Sequence, residues 1–234
     1  MTAAATRKRI LDAAERVFAD SGYAGASIRS ITKLAGSDLG AVRYHFGNKD
    51  ALFGAVLKRR LEPLCEERLA QLRRIEESAG EASPAVEDIV EAFLLPAIRL
   101  ITHEGYGRSW MKLMGRVRVE PGRYLESVQD VYERLLRLFL AAFRRALPEI
   151  PPDEVAYRLY FMFGTEVNTM INDGSLRAVG EDLHDVSEDP DGMLARLVRF
   201  VSAGMRAACR SSDVGEPAAQ RTDGRPRSLQ ARSR

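Results

Sequence analysis

The 234-residue chain is poor in cysteine, histidine and long apolar runs, and each scarcity removes a class of protein. Its two cysteines, Cys65 and Cys209, lie far apart and form no CxxC spacing, so no disulfide framework or cysteine metal knuckle is expected, and a reduced, cytoplasmic setting is. Histidine occurs only at His45, His103 and His184, with no HExxH pairing, and neither a GxSxG elbow nor a Gly-rich phosphate loop is present. No catalytic residue, metal or cofactor is therefore expected. No run reaches the roughly 18 apolar residues that a membrane span needs, and Met1 to Arg9 is polar and then basic. Secretion and membrane insertion are not expected.

A net charge of one sign is also missing, yet the balance is uneven along the chain. Residues 1–60 carry eleven Lys/Arg against five Asp/Glu, residues 61–210 carry nineteen against twenty-five, and residues 211–234 carry five against three. A basic front ahead of an acidic body fits a polyanion-binding module joined to a body that phosphates repel, which orients the approach. On charge alone, an asymmetry with no partner is the alternative.

Strand periodicity is absent as well, and what is present is helical. Ile10, Ala14, Val17 and Phe18 recur at helical spacing and predict a first helix over 6–19, with Gly22 as its stop. Ser27 is a natural N-cap for a short second helix whose buried stripe is Ile28, Ile31 and Leu34. Ala35-Gly36-Ser37 reads as a tight turn, Asp38 as the cap of a two-turn third helix, and Gly47-Asn48 as the break before a long fourth helix. That fourth helix starts near Lys49, buries Leu52, Phe53, Val56, Leu57, Leu61 and Leu64, and carries Pro63, a residue that bends helices. Further stretches over 84–103, 107–117, 123–146, 153–173 and 189–209 are punctuated by Gly105, Pro121-Gly122, Pro148, Pro151-Pro152 and Gly174. Residues 211–234 have almost no large apolar side chains, and a disordered tail is expected there.

The informative unit is Ser27 to Lys49. Two short helices joined by a tight glycine-containing turn, packed on a preceding helix, make a helix-turn-helix whose second helix enters the major groove. Leu39, Gly40 and Ala41 offer small side chains for close approach, Val42 and Phe46 face the supporting helices, and Arg43, Tyr44 and His45 face DNA. Arg43 is the obvious base reader, because a guanidinium donates twice to guanine O6 and N7. Tyr44 and Phe46 also suit a plain core, and Lys49 also suits a surface charge at a helix start.

Ser27 to Lys49 resembles the signature of the TetR family, a helix-turn-helix ending in an aromatic residue, His and Phe, then a small turn and Lys; the resemblance spans about residues 7–60. Asp38-Leu-Gly-Ala-Val-Arg-Tyr-His-Phe-Gly-Asn-Lys49 is similar to a subgroup with NLAAVNYHFGSK that includes regulators of fatty-acid metabolism, and Arg59 to Leu64 is similar to that subgroup's fourth-helix continuation. The resemblance implies a sequence-specific DNA-binding transcriptional regulator, a repressor released from a palindromic operator by an apolar small-molecule effector. It implies phosphate contacts at Ser27 and Lys49, backbone contacts at Tyr44 and His45, and base reading at Arg29 and Arg43, since phosphate contacts fix register while base contacts specify sequence. Two positions depart from the pattern. Ser37 replaces a common apolar turn residue, and Arg43 replaces an Asn or Tyr, so the operator sequence is not transferable from relatives.

The expected architecture is all-α, with an N-terminal three-helix helix-turn-helix domain over 1–50 and a larger helical bundle over 51–210 for effector binding and dimerisation. Helix 153–173 aligns Val155, Leu159, Met162, Phe163, Val167 and Met170, and helix 189–209 aligns Met193, Leu194, Leu197, Val198, Val201 and Met205. Two such helices per subunit suit a four-helix homodimer interface, packing within one subunit being the alternative. Phe93, Ile98, Trp110, Met114, Phe139 and Phe163 form a Met- and aromatic-rich set for an apolar effector cavity or an ordinary core. His103 and Asn168 are polar candidates for its ligand, with a solvated turn as the alternative for His103. The rival functions are a non-specific DNA-binding architectural protein and an all-helical enzyme.

Overall fold

Side chains that accept from unpaired backbone N–H groups set where the N-terminal helices begin. In the computed structural model, which describes residues 2–119, 126–171 and 175–209, Thr2 caps α1 (Ala3–Gly25) and Ser27 caps α2 (Ile28–Ala35). Asp38 caps α3 (Leu39–Phe46) and Asn48 caps α4 (Lys49–Ala79), each oxygen accepting from the N–H three residues on. At Ser27 the exchange is reciprocal: its Oγ accepts from Ser30 N–H at 3.0 Å, and Ser30 Oγ accepts from Ser27 N–H at 3.2 Å. α2 ends on Gly36 at φ 56, a left-handed conformation that a residue without Cβ adopts freely. α1 runs past the expected end at residue 19, but its backbone leaves helical geometry at Gly22, the expected stop.

The second helix corrects one expectation. Ile31 is buried together with Thr32 and Ala35, whereas Leu34 is 53% exposed. With 3.6 residues per turn the stripe drifts from position 31 to 35, and the smaller residue in phase is covered in preference to the larger one out of phase.

The body continues with α5 (Val86–Thr102), α6 (Gly107–Val119), α7 (Glu126–Ala146), α8 (Pro152–Ile171), α9 (Ser175–Val179) and α10 (Pro190–Arg206), with no strand among the described residues. The fold is all-α; the short α9 was not among the expected helices. Pro121-Gly122, Gly174 and the proposed tail over 211–234 lie outside the described residues. No helix among those described is long and apolar enough to cross a membrane.

α4 is the spine. Leu52, Phe53, Val56, Leu57, Leu61 and Leu64 are all buried, and the helix continues through Pro63 without ending. Its first half packs on α1, where Phe18 meets Phe53 edge-on at 4.5 Å, and its second half packs on α5 and α7. α6 lies along α1 and reaches it with Arg116, which donates to the carbonyls of Ala19 at 2.9 Å and Asp20 at 2.7 Å. The turn into α6 requires glycine: a Cβ on Gly107 would sit 2.0 Å from the Ile101 carbonyl oxygen.

The stripes expected to pair two subunits instead pack inside one. Val155, Leu159, Met162 and Met170 of α8, and Leu197, Val201 and Met205 of α10, are buried in the core of the single chain. The faces of these helices that remain open carry Tyr157, Tyr160, Phe161 and Phe200. Both helices are apolar on more than one side, so periodicity alone did not say which side turns inward.

Candidate functional site

The third helix is short enough that burying one residue fixes its exposed side. Val42 is buried and Phe46 half-buried, with the Arg7 guanidinium 5.2 Å from the Phe46 ring centroid. Positions 39, 40, 43 and 44 then share the outer face: Leu39, Gly40, Arg43 and Tyr44 are exposed, Tyr44 at 82%. Among the described residues the Arg43 side chain makes no hydrogen bond or ion pair, so its five donors point to no internal acceptor. Ala41 and His45 are half-buried; Ala41 packs on the core, and the His45 ring lies edge-on to Tyr44 at 5.0 Å. Arg29 and Ser27 are exposed in the first turn of α2, though the Ser27 hydroxyl is already committed to its capping box. Lys49 is half-buried, its Nζ 4.3 Å from the Tyr23 ring centroid, while the Tyr23 hydroxyl donates to Asp50. Ser37, the departure from the family pattern, has a buried hydroxyl with no partner among the described residues.

Charged pairs fasten this unit to the body. Glu15 of α1 is buried and accepts from Arg60 Nε at 3.2 Å and Nη2 at 3.0 Å, and Asp12 meets Arg59 at 2.6 Å. Burial pushes the Asp12 carboxyl up, but Arg59 and Lys8 outweigh it and hold the group below the usual carboxylate range. The Arg60 guanidinium lies 3.5 Å from the Tyr106 ring centroid, and His103 stacks on Tyr106 at 3.8 Å. His103 is thus an exposed edge of a polar cleft of about 240 Å³ at this junction, and its Nδ1 accepts from Gly105 N–H at 3.0 Å.

A separate apolar cavity of about 270 Å³ opens within the body. Leu57, Leu61 and Leu64 of α4, Trp110 and Met114 of α6, Tyr132 of α7, and Phe163, Glu166 and Met170 of α8 line it. Of the eight residues expected to line an effector site, Trp110, Met114 and Phe163 border this cavity. The other five do not: Phe93 and Phe139 meet edge-on at 5.0 Å in the core, Ile98 is buried there, His103 lies at the junction, and Asn168 is exposed. α5, which supplies Phe93 and Ile98, contributes no wall of this cavity, and Asn168 sits on the open side of α8.

The residues that sequence reasoning missed here are Arg68 and Glu166. The two form a buried ion pair, and Arg68 also donates from Nε to the Phe93 carbonyl at 2.7 Å, its guanidinium 4.1 Å from the Phe93 ring centroid. Burial pushes the Glu166 carboxyl up, and the Arg68 guanidinium beside it pulls against that rise. An arginine does not surrender its proton, so the guanidinium that donates to Glu166 is the counter-charge available to that carboxylate. Burial also raises the neighbouring Cys65 thiol, to about 11. The signal was available: Arg68 continues the buried stripe Leu57, Leu61, Leu64 toward Leu72, and Glu166 lies four residues from both Met162 and Met170. A charge in phase with a buried stripe implies a buried partner.

Comparison with known proteins agrees with this layout. The family model described as bacterial regulatory proteins, tetR family, matches residues 10–56, and the one described as tetracyclin repressor-like, C-terminal domain, matches residues 91–204. The HTH-type transcriptional repressor AcnR of Corynebacterium efficiens is 37% identical over 73 residues, 30% of this chain and 39% of that protein. The HTH-type transcriptional regulator UidR of Escherichia coli K12 is 32% identical over 103 residues, 44% of this chain and 46% of that protein. The chain thus matches less than half the length of these relatives. The crystal structure of the transcriptional regulator FadR from Bacillus subtilis, in complex with stearoyl-CoA, has the same fold, with TM-score 0.58 and 16% identity over 84% of this chain and 98% of that one.

Proposed function

The chain belongs to the TetR family of bacterial regulatory proteins, and on that basis we propose that it is a sequence-specific transcriptional repressor that leaves its operator when an apolar small molecule binds in the body. The observation that carries this reading is the outer face of α3, where Leu39, Gly40, Arg43 and Tyr44 stand exposed on a helix capped at Asp38 and held by the buried Val42. Residues 1–50 are the DNA-binding domain and residues 51–210 the effector-binding and dimerisation domain.

Arg43 and Arg29 read base edges, and Leu39, Gly40 and Ala41 admit close approach to the groove. Ser27, Tyr44, His45 and Lys49 hold the phosphate backbone and set register. A palindromic site needs two such helices about 34 Å apart, hence a homodimer. The open aromatic faces of α8 and α10, with Tyr157, Tyr160, Phe161 and Phe200, supply apolar surface for a four-helix interface. A cytoplasmic location follows from a role on DNA.

The cavity communicates with the DNA-binding unit through two helices. α4 lines the cavity with Leu57, Leu61 and Leu64 and begins at Lys49, directly after the recognition helix. α6 lines it with Trp110 and Met114 and grips α1 through Arg116. A ligand with different affinities for two arrangements of these helices shifts the spacing of the recognition helices, and nothing more is required of it.

The test is selection of random DNA fragments by the pure protein, followed by competition against random DNA at fixed salt. The expected outcome is a palindrome bound about a thousandfold or more above non-specific DNA. Weak preference across sequences would instead identify an architectural DNA-binding protein.

A further inference from the structure

Resting on the reading of the body cavity as the effector site, we propose that its ligand is an uncharged apolar molecule of modest size bearing a hydroxyl or amide group, seated against Glu166 and Trp110. Three observations converge on that chemistry.

The first is a pair of unmet polar atoms of opposite sense. Among the described residues, Glu166 is 4% exposed with no hydrogen-bond partner for its Oε2, and Trp110 is fully buried with none for its Nε1. Both residues line the cavity. Buried polar groups are seldom left unpaired, and one acceptor and one donor among the lining residues call for a ligand that both donates and accepts. A hydroxyl does both through one atom, and a primary or secondary amide does so through two.

The second is charge balance. Glu166 lines the cavity, and Arg68 behind it supplies the counter-charge. A ligand carboxylate would bring a second negative charge against Glu166, and a ligand ammonium would leave the trio with an uncompensated positive charge, either of them far from water. The surrounding walls are leucines, methionines and aromatic rings, which offer a charge no compensation.

The third is size. A cavity of about 270 Å³ lies just below the roughly 300–1,000 Å³ of sites for drug-sized ligands, which suits a molecule of modest size.

The test uses the full chain and four probes of similar length: 1-octanol, octanoate, octylammonium and 1-methoxyheptane, which accepts a hydrogen bond but donates none. Titration calorimetry gives affinity, and operator binding is followed in parallel. Octanol is expected to bind at least about tenfold more tightly than each of the other three, because a site with buried polar groups rejects analogues that leave them unpaired. Trp110→Phe is expected to lower octanol affinity about tenfold and to narrow its margin over the ether; this variant keeps the ion pair, which Glu166→Gln would disturb along with the fold. Equal or tighter binding of octanoate or octylammonium overturns the neutral-ligand assignment and leaves the effector reading intact. Equal binding of the ether, an unchanged affinity in Trp110→Phe, or no binding of any probe also overturns it. Tight octanol binding that leaves operator affinity unchanged sinks the effector reading while the ligand assignment stands.

Discussion

The recognition unit over residues 27–49 and the cavity of the body are both made of amphipathic helices, yet they are determined over different distances along the chain. In the recognition unit every start is fixed within three residues, by Ser27 on Ser30, Asp38 on Ala41 and Asn48 on Ala51. In the body the decisive contacts are remote: Arg68 meets Glu166 across 98 positions, and Arg116 meets Ala19 across 97. The two regions also face opposite ways chemically. Arg43 keeps its charge exposed at the surface, whereas Arg68 spends its charge on a partner inside.

The comparison breaks first at Arg68. Arg68→Met leaves the Glu166 carboxylate buried without its counter-charge and is expected to cost about 3–5 kcal/mol of folding stability, read by denaturant unfolding. Adding Glu166→Met should restore most of the loss, because a matched apolar pair avoids the desolvation penalty. A single variant as stable as the parent would mean that the pair is not closed to water. Arg43→Ala is the counterpart at the surface. It is expected to weaken binding to the selected operator by about 1–3 kcal/mol while leaving random-DNA affinity nearly intact and unfolding within about 0.5 kcal/mol of the parent. Equal loss on both DNAs would remove Arg43 from base reading.

That asymmetry explains what was legible in the sequence. Helix starts at Ser27, Asp38 and Asn48 and the turn at Gly36 follow from local chemistry, and so does the inward side of α3 at Val42. Leu34 was misplaced because a large apolar residue out of phase looks like core until the turn is counted closely. Phe93, Ile98 and Phe139 were misplaced for a different reason: burial is readable from composition, but whether a buried residue borders a void depends on neighbours from three other helices. His103 and Asn168 drew notice as polar residues among apolar ones, yet both face outward. The polar residues that do reach the cavity region, Arg68 and Glu166, were marked by their phase within buried stripes. Ser27→Ala tests how local the recognition unit is. Losing the reciprocal cap is expected to cost about 1 kcal/mol in unfolding, within a range of roughly 0.5–2. A negligible change would mean that packing on α1, and not the cap, holds α2 in place.

Lys49 sits where the two regimes meet, and its predicted effect is the smallest. It opens α4, the spine of the body, yet its ammonium lies 4.3 Å from the Tyr23 ring of the DNA-binding unit. A cation over an aromatic face at a partly exposed site keeps hydrogen-bonding capacity on its outer side, so the ring positions the ammonium without consuming it. A phosphate bound there releases one condensed counterion, so Lys49→Ala is expected to reduce the salt slope of operator binding by about one unit, on specific and random DNA alike. Lys49→Arg keeps the charge and should keep the slope. If the alanine variant retains the parent slope, Lys49 serves only to join α1 to α4 through Tyr23, and the phosphate contacts of this end belong to Ser27, Tyr44 and His45.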